Sequence, residues 1–246
     1  MNIFSNEYAK QKVFEFPIKD NIEEENIKVV MKTIQGRCDE YLNISFLNHD
    51  YKTPVFYINE RLWMSLSPME IQAQEYPLWK AEGYVGGLGL GYFVYEAMKN
   101  NVVEEIDVYE QELSVINYFK KYFKDCKGFD KVNFIHGDVR ELMQNKEYNF
   151  VYMDIYERLC DDITIKDYVY FMETNKIDKY TFFGEEKIMF EALCTGDLLP
   201  DEIDWSYREF FGQFMKSGKE NMVRQNFDTE FIEKYIEINN RYNKGD

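Results

Sequence analysis

The chain has 246 residues, enough to bury a sizeable core in one large domain or in one domain with a smaller appendage, and 45% hydrophobic and 17% aromatic content argues against intrinsic disorder. Its 45 Asp and Glu against 29 Lys and Arg leave a formal charge of −16, with no basic block long enough to follow a phosphate backbone, so nucleic acid is not an expected partner. The acidity reads as solvated surface, with an acidic groove for a cationic substrate such as a polyamine as the minority reading.

The first 16 residues are punctuated by Glu7, Lys10, Lys12 and Glu15, and no run of about 18 apolar residues occurs anywhere. Neither an export signal nor a membrane span is expected, and the protein is placed in the cytoplasm. Residues 1–66 form the first expected unit, a β-rich segment. Stretches 27–34, 41–47 and 54–66 hold β-branched and aromatic residues, with breaks at Gly36 and Asn48-His49-Asp50, as in a small antiparallel sheet. Ser67-Pro68-Met69-Glu70 then opens a helix: Ser67 caps, Pro68 suits the first helical position, and Glu70 can reach back to complete a capping box. That helix is expected to run to Glu82 and stop at Gly83.

From Gly83 short apolar runs alternate with helical stretches: strands over 84–87, 105–109, 132–136 and 150–154, helices over 91–100, 111–124 and 138–145. This rhythm specifies a parallel sheet with crossover helices. A fifth strand is expected over 180–183 and a helix over 184–193. The second unit is thus residues 67–195, and the third, 196–246, is a helical extension in which 229–241 puts Phe231, Ile232, Tyr235, Ile236 and Ile238 on one face.

The central chemical signal is Gly86-Gly87-Leu88-Gly89-Leu90-Gly91, between a short strand and a helix. Glycines let the backbone bend tightly and approach a ligand, and the helix start beyond presents unpaired N–H groups. A G-x-G-x-x-G fingerprint begun at Gly87 would place its third glycine at Tyr92, which disfavours a nicotinamide dinucleotide. A bare strand-to-helix turn would use the same glycines, but a second element tips the balance. The strand Ile106-Asp107-Val108-Tyr109-Glu110 ends in a carboxylate 23 residues after Gly87, where the neighbouring parallel strand delivers an acid able to accept both ribose hydroxyls.

Gly137-Asp138 follows the third strand; with Glu141, Asp138 fits a helix cap as well as it fits an adenine contact. The strand over 148–154 ends in Asp154 at the carboxyl edge, where open α/β sheets place ligands, and Asp154 is the best catalytic candidate, ahead of a plain surface acid. Tyr92, Tyr109, Tyr152 and Tyr156 read as core or rim packing in preference to an aromatic acceptor pocket. Cys38, Cys126, Cys160 and Cys194 are widely spaced with no C-x-x-C pair, as in buried thiols of a reducing compartment, and His49 and His136 are too few for a histidine-rich metal site or a Ser-His-Asp triad. No metal is expected.

Together these elements resemble the class I S-adenosylmethionine-dependent methyltransferases and, within that fold, the spermidine synthase-like branch, over residues 54–190. The resemblance implies an α/β, Rossmann-like and mostly parallel sheet with flanking helices, preceded by the β-rich segment and followed by the helical region. It implies a cofactor, S-adenosylmethionine or its decarboxylated form, held by Gly87, Leu88, Gly89 and Gly91, by Glu110 with Gln111, and by Gly137, Asp138 and Val139, with Asp154 at its edge. Asp154, Tyr156 and Glu157 would orient the acceptor and take its proton. The leading expectation is methyl transfer to a small-molecule or protein nucleophile.

Aminopropyl transfer to a polyamine is the alternative. It accounts for the acidity, but Leu90 stands where aminopropyltransferases carry an acid. Their D-S-S/T-D-P loop corresponds to Asp154-Ile155-Tyr156-Glu157-Arg158, which keeps an acid at Glu157 and lacks the proline and small residues. A third expectation is a non-catalytic or cofactor-consuming nucleotide binder on the same fold. A small-molecule substrate is expected, and the sequence is compatible with a homo-oligomer.

Overall fold

The structure is a computed structural model that describes residues 6–34, 40–41, 44–45, 51–86, 91–156 and 162–185 of the chain. It opens on a helix, α1 (Asn6–Glu15). The sequence pattern places no element here; Ala9 of the helix and Phe16 just after it are buried in the core shared with the sheets, ahead of the β-rich part of residues 1–66. Strands β1 (Ile22–Glu24) and β2 (Ile27–Ile34) follow, then a two-stranded ladder of β3 (Glu40–Tyr41) and β4 (Ile44–Ser45), and β5 (Tyr51–Ile58) and β6 (Arg61–Ser65). The expected strand over 54–66 is a hairpin. Asn59 and Glu60 both have positive φ, 51° and 60°, as a two-residue primed turn requires. The first sheet is antiparallel, in the order β1-β2-β5-β6.

Helix α2 (Pro68–Lys80) starts as its residues dictate, the Ser67 hydroxyl accepting the Glu70 N–H at 3.2 Å with Pro68 in the first turn. The alternating unit follows: β7 (Gly83–Gly86), α3 (Tyr92–Lys99), β8 (Val103–Glu110), α4 (Leu113–Phe123), β9 (Val132–His136), α5 (Val139–Leu142) and β10 (Glu147–Met153). Helix α6 (Asp162–Thr174), absent from the sequence expectation, crosses over to β11 (Lys176–Phe182). The helix expected over 184–193 lies outside the described residues from 186 on, and the one expected over 229–241 lies outside them entirely.

Among the described residues this second sheet has five strands, all parallel, in the order β11-β10-β7-β8-β9. The fold is α/β and Rossmann-like. The chain runs outward from β7 through β8 to β9, then crosses back to lay β10 on the other side of β7. The strand order therefore reverses between β7 and β10, and the carboxyl edge of the sheet at such a reversal is where open α/β sheets place ligands.

Alternation along the strands feeds two cores. Val85, Ile106, Val108, Val132, Phe150 and Tyr152 join one, and Tyr109, Val151, Met153, Tyr180 and Phe182 the other. The first core is continuous with the N-terminal sheet. Phe16 meets Phe56 of β5 at 6.2 Å and Phe123 of α4 at 5.4 Å between ring centroids, both edge-on, which joins the N-terminal sheet to α4. Among the described residues no helix is long and apolar enough to cross a membrane.

Candidate active site

The carboxyl ends of the central strands converge on one open cleft with about 190 Å³ of free space. Glu110 ends β8 and is only 8% exposed. Its Oε1 accepts the backbone N–H of Glu112 at 2.8 Å, which leaves the other oxygen for a partner in the cleft. Burial raises this carboxyl above its ordinary range, and the backbone N–H groups of Glu112 and Gln111 oppose the rise. Beside it the β9 turn is tied to β8 by the Gly137 N–H, which donates to the Glu110 carbonyl at 3.0 Å. Gly137 has φ +142°, and a Cβ there would come within 2.6 Å of Leu142 Cδ1, so the turn is built for glycine.

Asp154 extends from the end of β10 toward α2. The Gln74 side-chain amide reaches it with Nε2 3.4 Å from Asp154 Oδ2, and the same nitrogen lies 3.3 Å from Glu70 Oε1. The capping-box expectation for Glu70 is thereby corrected. Its backbone N–H makes the Ser67 half of the box, while its carboxyl turns to Gln74, an i,i+4 neighbour on the same helix face. Burial raises both carboxyls well above the ordinary range, and the negative Asp154 raises Glu70 further.

Of the residues singled out from sequence, the cleft brings together Glu110, Gln111, Gly137, Val139 and Asp154. Asp138 sits at its side as the N-cap of α5, its carboxylate accepting the Arg140 N–H at 2.8 Å. Tyr156 packs into the second core, where burial and Asp167 raise its phenol, and it is not among the residues lining the cleft. Gly91 caps α3 with φ +130°, and a Cβ on it would strike Met64 Sδ at 2.7 Å. Gly87, Leu88, Gly89 and Glu157 lie outside the described residues.

Among the cleft residues not singled out from sequence are Trp63, from the antiparallel sheet, Glu112, and Arg140 of α5, which clamps Asp167 through Nε at 3.0 Å and Nη2 at 2.7 Å. Against Asp154, but not lining the cleft, stand Glu70 and Gln74 of α2. The signal for the last two was their i,i+4 spacing, which in sequence is indistinguishable from ordinary helix surface.

The donor set fits an adenosyl cofactor. A buried carboxylate with one free oxygen suits a vicinal diol, and Trp63, Val139 and Ile155 supply apolar wall beside it. No family model matches the chain, and no curated protein matches it in sequence. Among solved structures it overlaps spermidine synthase from Thermotoga maritima at 14% identity and a TM-score of 0.38, over 64% of this chain and 53% of that one. It overlaps a putative RNA methyltransferase from Pyrococcus horikoshii at 19% identity and a TM-score of 0.34, over 44% and 57%. Precorrin 8w decarboxylase from Methanobacterium thermoautotrophicum is matched at 13% identity and a TM-score of 0.31, over 39% and 50%. The chain spans about half the length of these proteins, and the likeness is one of architecture.

Proposed function

We propose that the chain binds S-adenosylmethionine in this cleft and transfers its methyl group to a small-molecule or protein nucleophile. The observation that carries the reading is Glu110, a buried carboxylate at the end of β8 with one oxygen held by the backbone and the other free to accept the ribose hydroxyls. Gly137 and Val139 line the wall on which adenine would rest, with Asp138 capping the helix behind it. Gly87, Leu88, Gly89 and Gly91 would follow the methionine portion.

When bound, the cofactor supplies an electrophilic methyl carbon on a sulfonium. Charge disperses in such a displacement, so the protein contributes chiefly proximity and alignment. Asp154 stands at the carboxyl edge of β10, where it would orient the acceptor and receive its proton. A carboxyl raised by burial is better matched to that task at neutral pH than an ordinary aspartate. Glu157 would complete the acceptor side of this reading, and Tyr156, packed into the second core, drops out of it.

A second reading, aminopropyl transfer from decarboxylated S-adenosylmethionine to a polyamine, is favoured by the paired acids Glu70 and Asp154 on Gln74, a setting suited to an ammonium group. Calorimetric titration of the full chain with the two cofactor forms separates them. Tighter binding of the carboxylated form is expected; preference for the decarboxylated form selects the second reading, and binding of neither sinks both. Incubation with methyl-labelled cofactor and cell extract then tells a transferase from a nucleotide binder, which would label nothing.

A further inference from the structure

We propose that Glu70 and Asp154 act as one acid pair holding a single proton at neutral pH, clamped by Gln74, with Glu70 the protonated, positioning member and Asp154 the charged one. The inference deepens the reading of Asp154 as the group that takes the acceptor's proton, and rests on it.

The geometry begins with one nitrogen. Gln74 Nε2 has two hydrogens, and a carboxyl oxygen lies within reach of each, at 3.3 Å from Glu70 and 3.4 Å from Asp154. An amide that bridges two acids brings them close without neutralising either. Gln74 is 2% exposed, so on its side water does little to screen the repulsion, while Asp154 also faces the cleft. Like charges bridged by one nitrogen disfavour ionising together. The burial that raises both carboxyls, with Glu70 raised further by its neighbour, agrees with a proton residing there.

One unpaired polar atom marks the same spot as a place for a ligand. Gln74 Oε1 is buried without a hydrogen-bond partner, beside the Tyr152 hydroxyl, which lies in the field of both acids. Buried polar atoms are nearly always satisfied, and an acceptor bearing N–H or O–H would supply what Gln74 Oε1 lacks. Among the described residues, Tyr152 approaches the pair from β10, Tyr109, Glu110 and Glu112 stand across the cleft at the end of β8, and Arg140 from α5 is committed to Asp167. Among the described residues no cation pairs with either carboxyl.

During transfer the acceptor's lone pair forms the new bond to carbon, the carbon–sulfur bond breaks, and its electrons stay on sulfur as a neutral thioether. The acceptor's proton passes to Asp154, taking the acid pair from one negative charge to none, and then leaves to solvent. Because Glu70 keeps the pair's one proton, Asp154 is the charged member and the one able to accept.

The test is a carboxyl ¹³C titration of the full chain by NMR, without cofactor, in wild type, Glu70→Gln and Asp154→Asn. In wild type both carboxyls are expected to titrate above the ordinary range near pH 4. Asp154→Asn should lower the Glu70 midpoint by about one pH unit or more, a shift that burial of two independent acids would not produce, while Glu70→Gln should leave Asp154 raised by burial. Midpoints in the ordinary range, or a Glu70 midpoint unmoved in Asp154→Asn, overturn the proposal. Should a variant fail to fold, the wild-type titration alone decides. No cofactor is present, so a negative result here leaves the calorimetric test of cofactor binding untouched.

Discussion

The Gly137 N–H donates to the Glu110 carbonyl across 3.0 Å, so the residue that would grip the ribose and the turn that would face adenine are fastened to each other through the main chain. The bond continues the β8–β9 pairing one step past Glu110 and His136, and it fixes where the Glu110 side chain leaves the sheet.

Gly137→Ala should loosen that fastening. Leu142 is 41% exposed and can move aside, but a backbone at φ +142° remains strained for any residue with a Cβ. A loss of about 1–3 kcal/mol is expected in urea unfolding, with weaker cofactor binding alongside. An unchanged midpoint would show that the turn relaxes freely.

Glu110→Ala should weaken binding of S-adenosylmethionine by roughly 10- to 100-fold, the range for losing hydrogen bonds to a charged acceptor. Calorimetry reads this directly. Unchanged affinity would remove the ribose assignment.

Asp154→Asn keeps the shape of the side chain and removes its capacity to take a proton. Turnover should fall by about 100-fold or more while cofactor affinity changes little. A loss of binding with turnover per bound complex retained would reassign Asp154 to the cofactor.

Stability should decline as pH rises. Glu70, Glu75, Glu110, Asp154 and Glu185 are all raised, with burial the first cause in each. In the folded chain they hold protons that the unfolded chain has released. Their contribution is therefore full below the ordinary carboxylate value near pH 4 and is lost as pH climbs through the raised values. Urea midpoints measured from pH 5 to pH 9 should fall, and the double replacement of Glu70 by Gln and Asp154 by Asn should flatten the slope. A wild-type midpoint that rises over this range would contradict the burial of these groups.

Gly86→Ala tests the sheet beneath the cleft. A Cβ there would meet the Tyr148 ring at 2.7 to 2.9 Å. The ring is pinned, since its hydroxyl donates to Asp107 Oδ2 at 2.7 Å and pairs with the Tyr109 hydroxyl at 2.8 Å. Destabilisation of about 1–3 kcal/mol is expected from overpacking, and Tyr148→Phe should cut the penalty by freeing the ring. Equal penalties in both backgrounds would mean that the hydroxyl network does not hold it.

Much of this arrangement was legible in the residues because it is local. Period-two and period-3.6 patterns placed β7, β8, β9 and β10 with the helices between them, the Ser67-Pro68 pair announced α2, and a strand ending in Glu110 after a glycine turn pointed to a nucleotide. Helix α1 was missed because its few buried residues leave too weak a stripe, and α6 because nothing in its sequence declares a start.

What tertiary structure alone decided is which distant residues meet. Local pattern specifies strands but not their order, and the return of β10 to the side of β7 puts Asp154 next to Gln74, 80 positions earlier in the chain. The same packing turned Glu70 from a cap residue into half of an acid pair and brought Trp63 into the wall of the cleft. Charge repulsion and desolvation act through space, so the chemistry of these side chains could not be set until folding had chosen their neighbours.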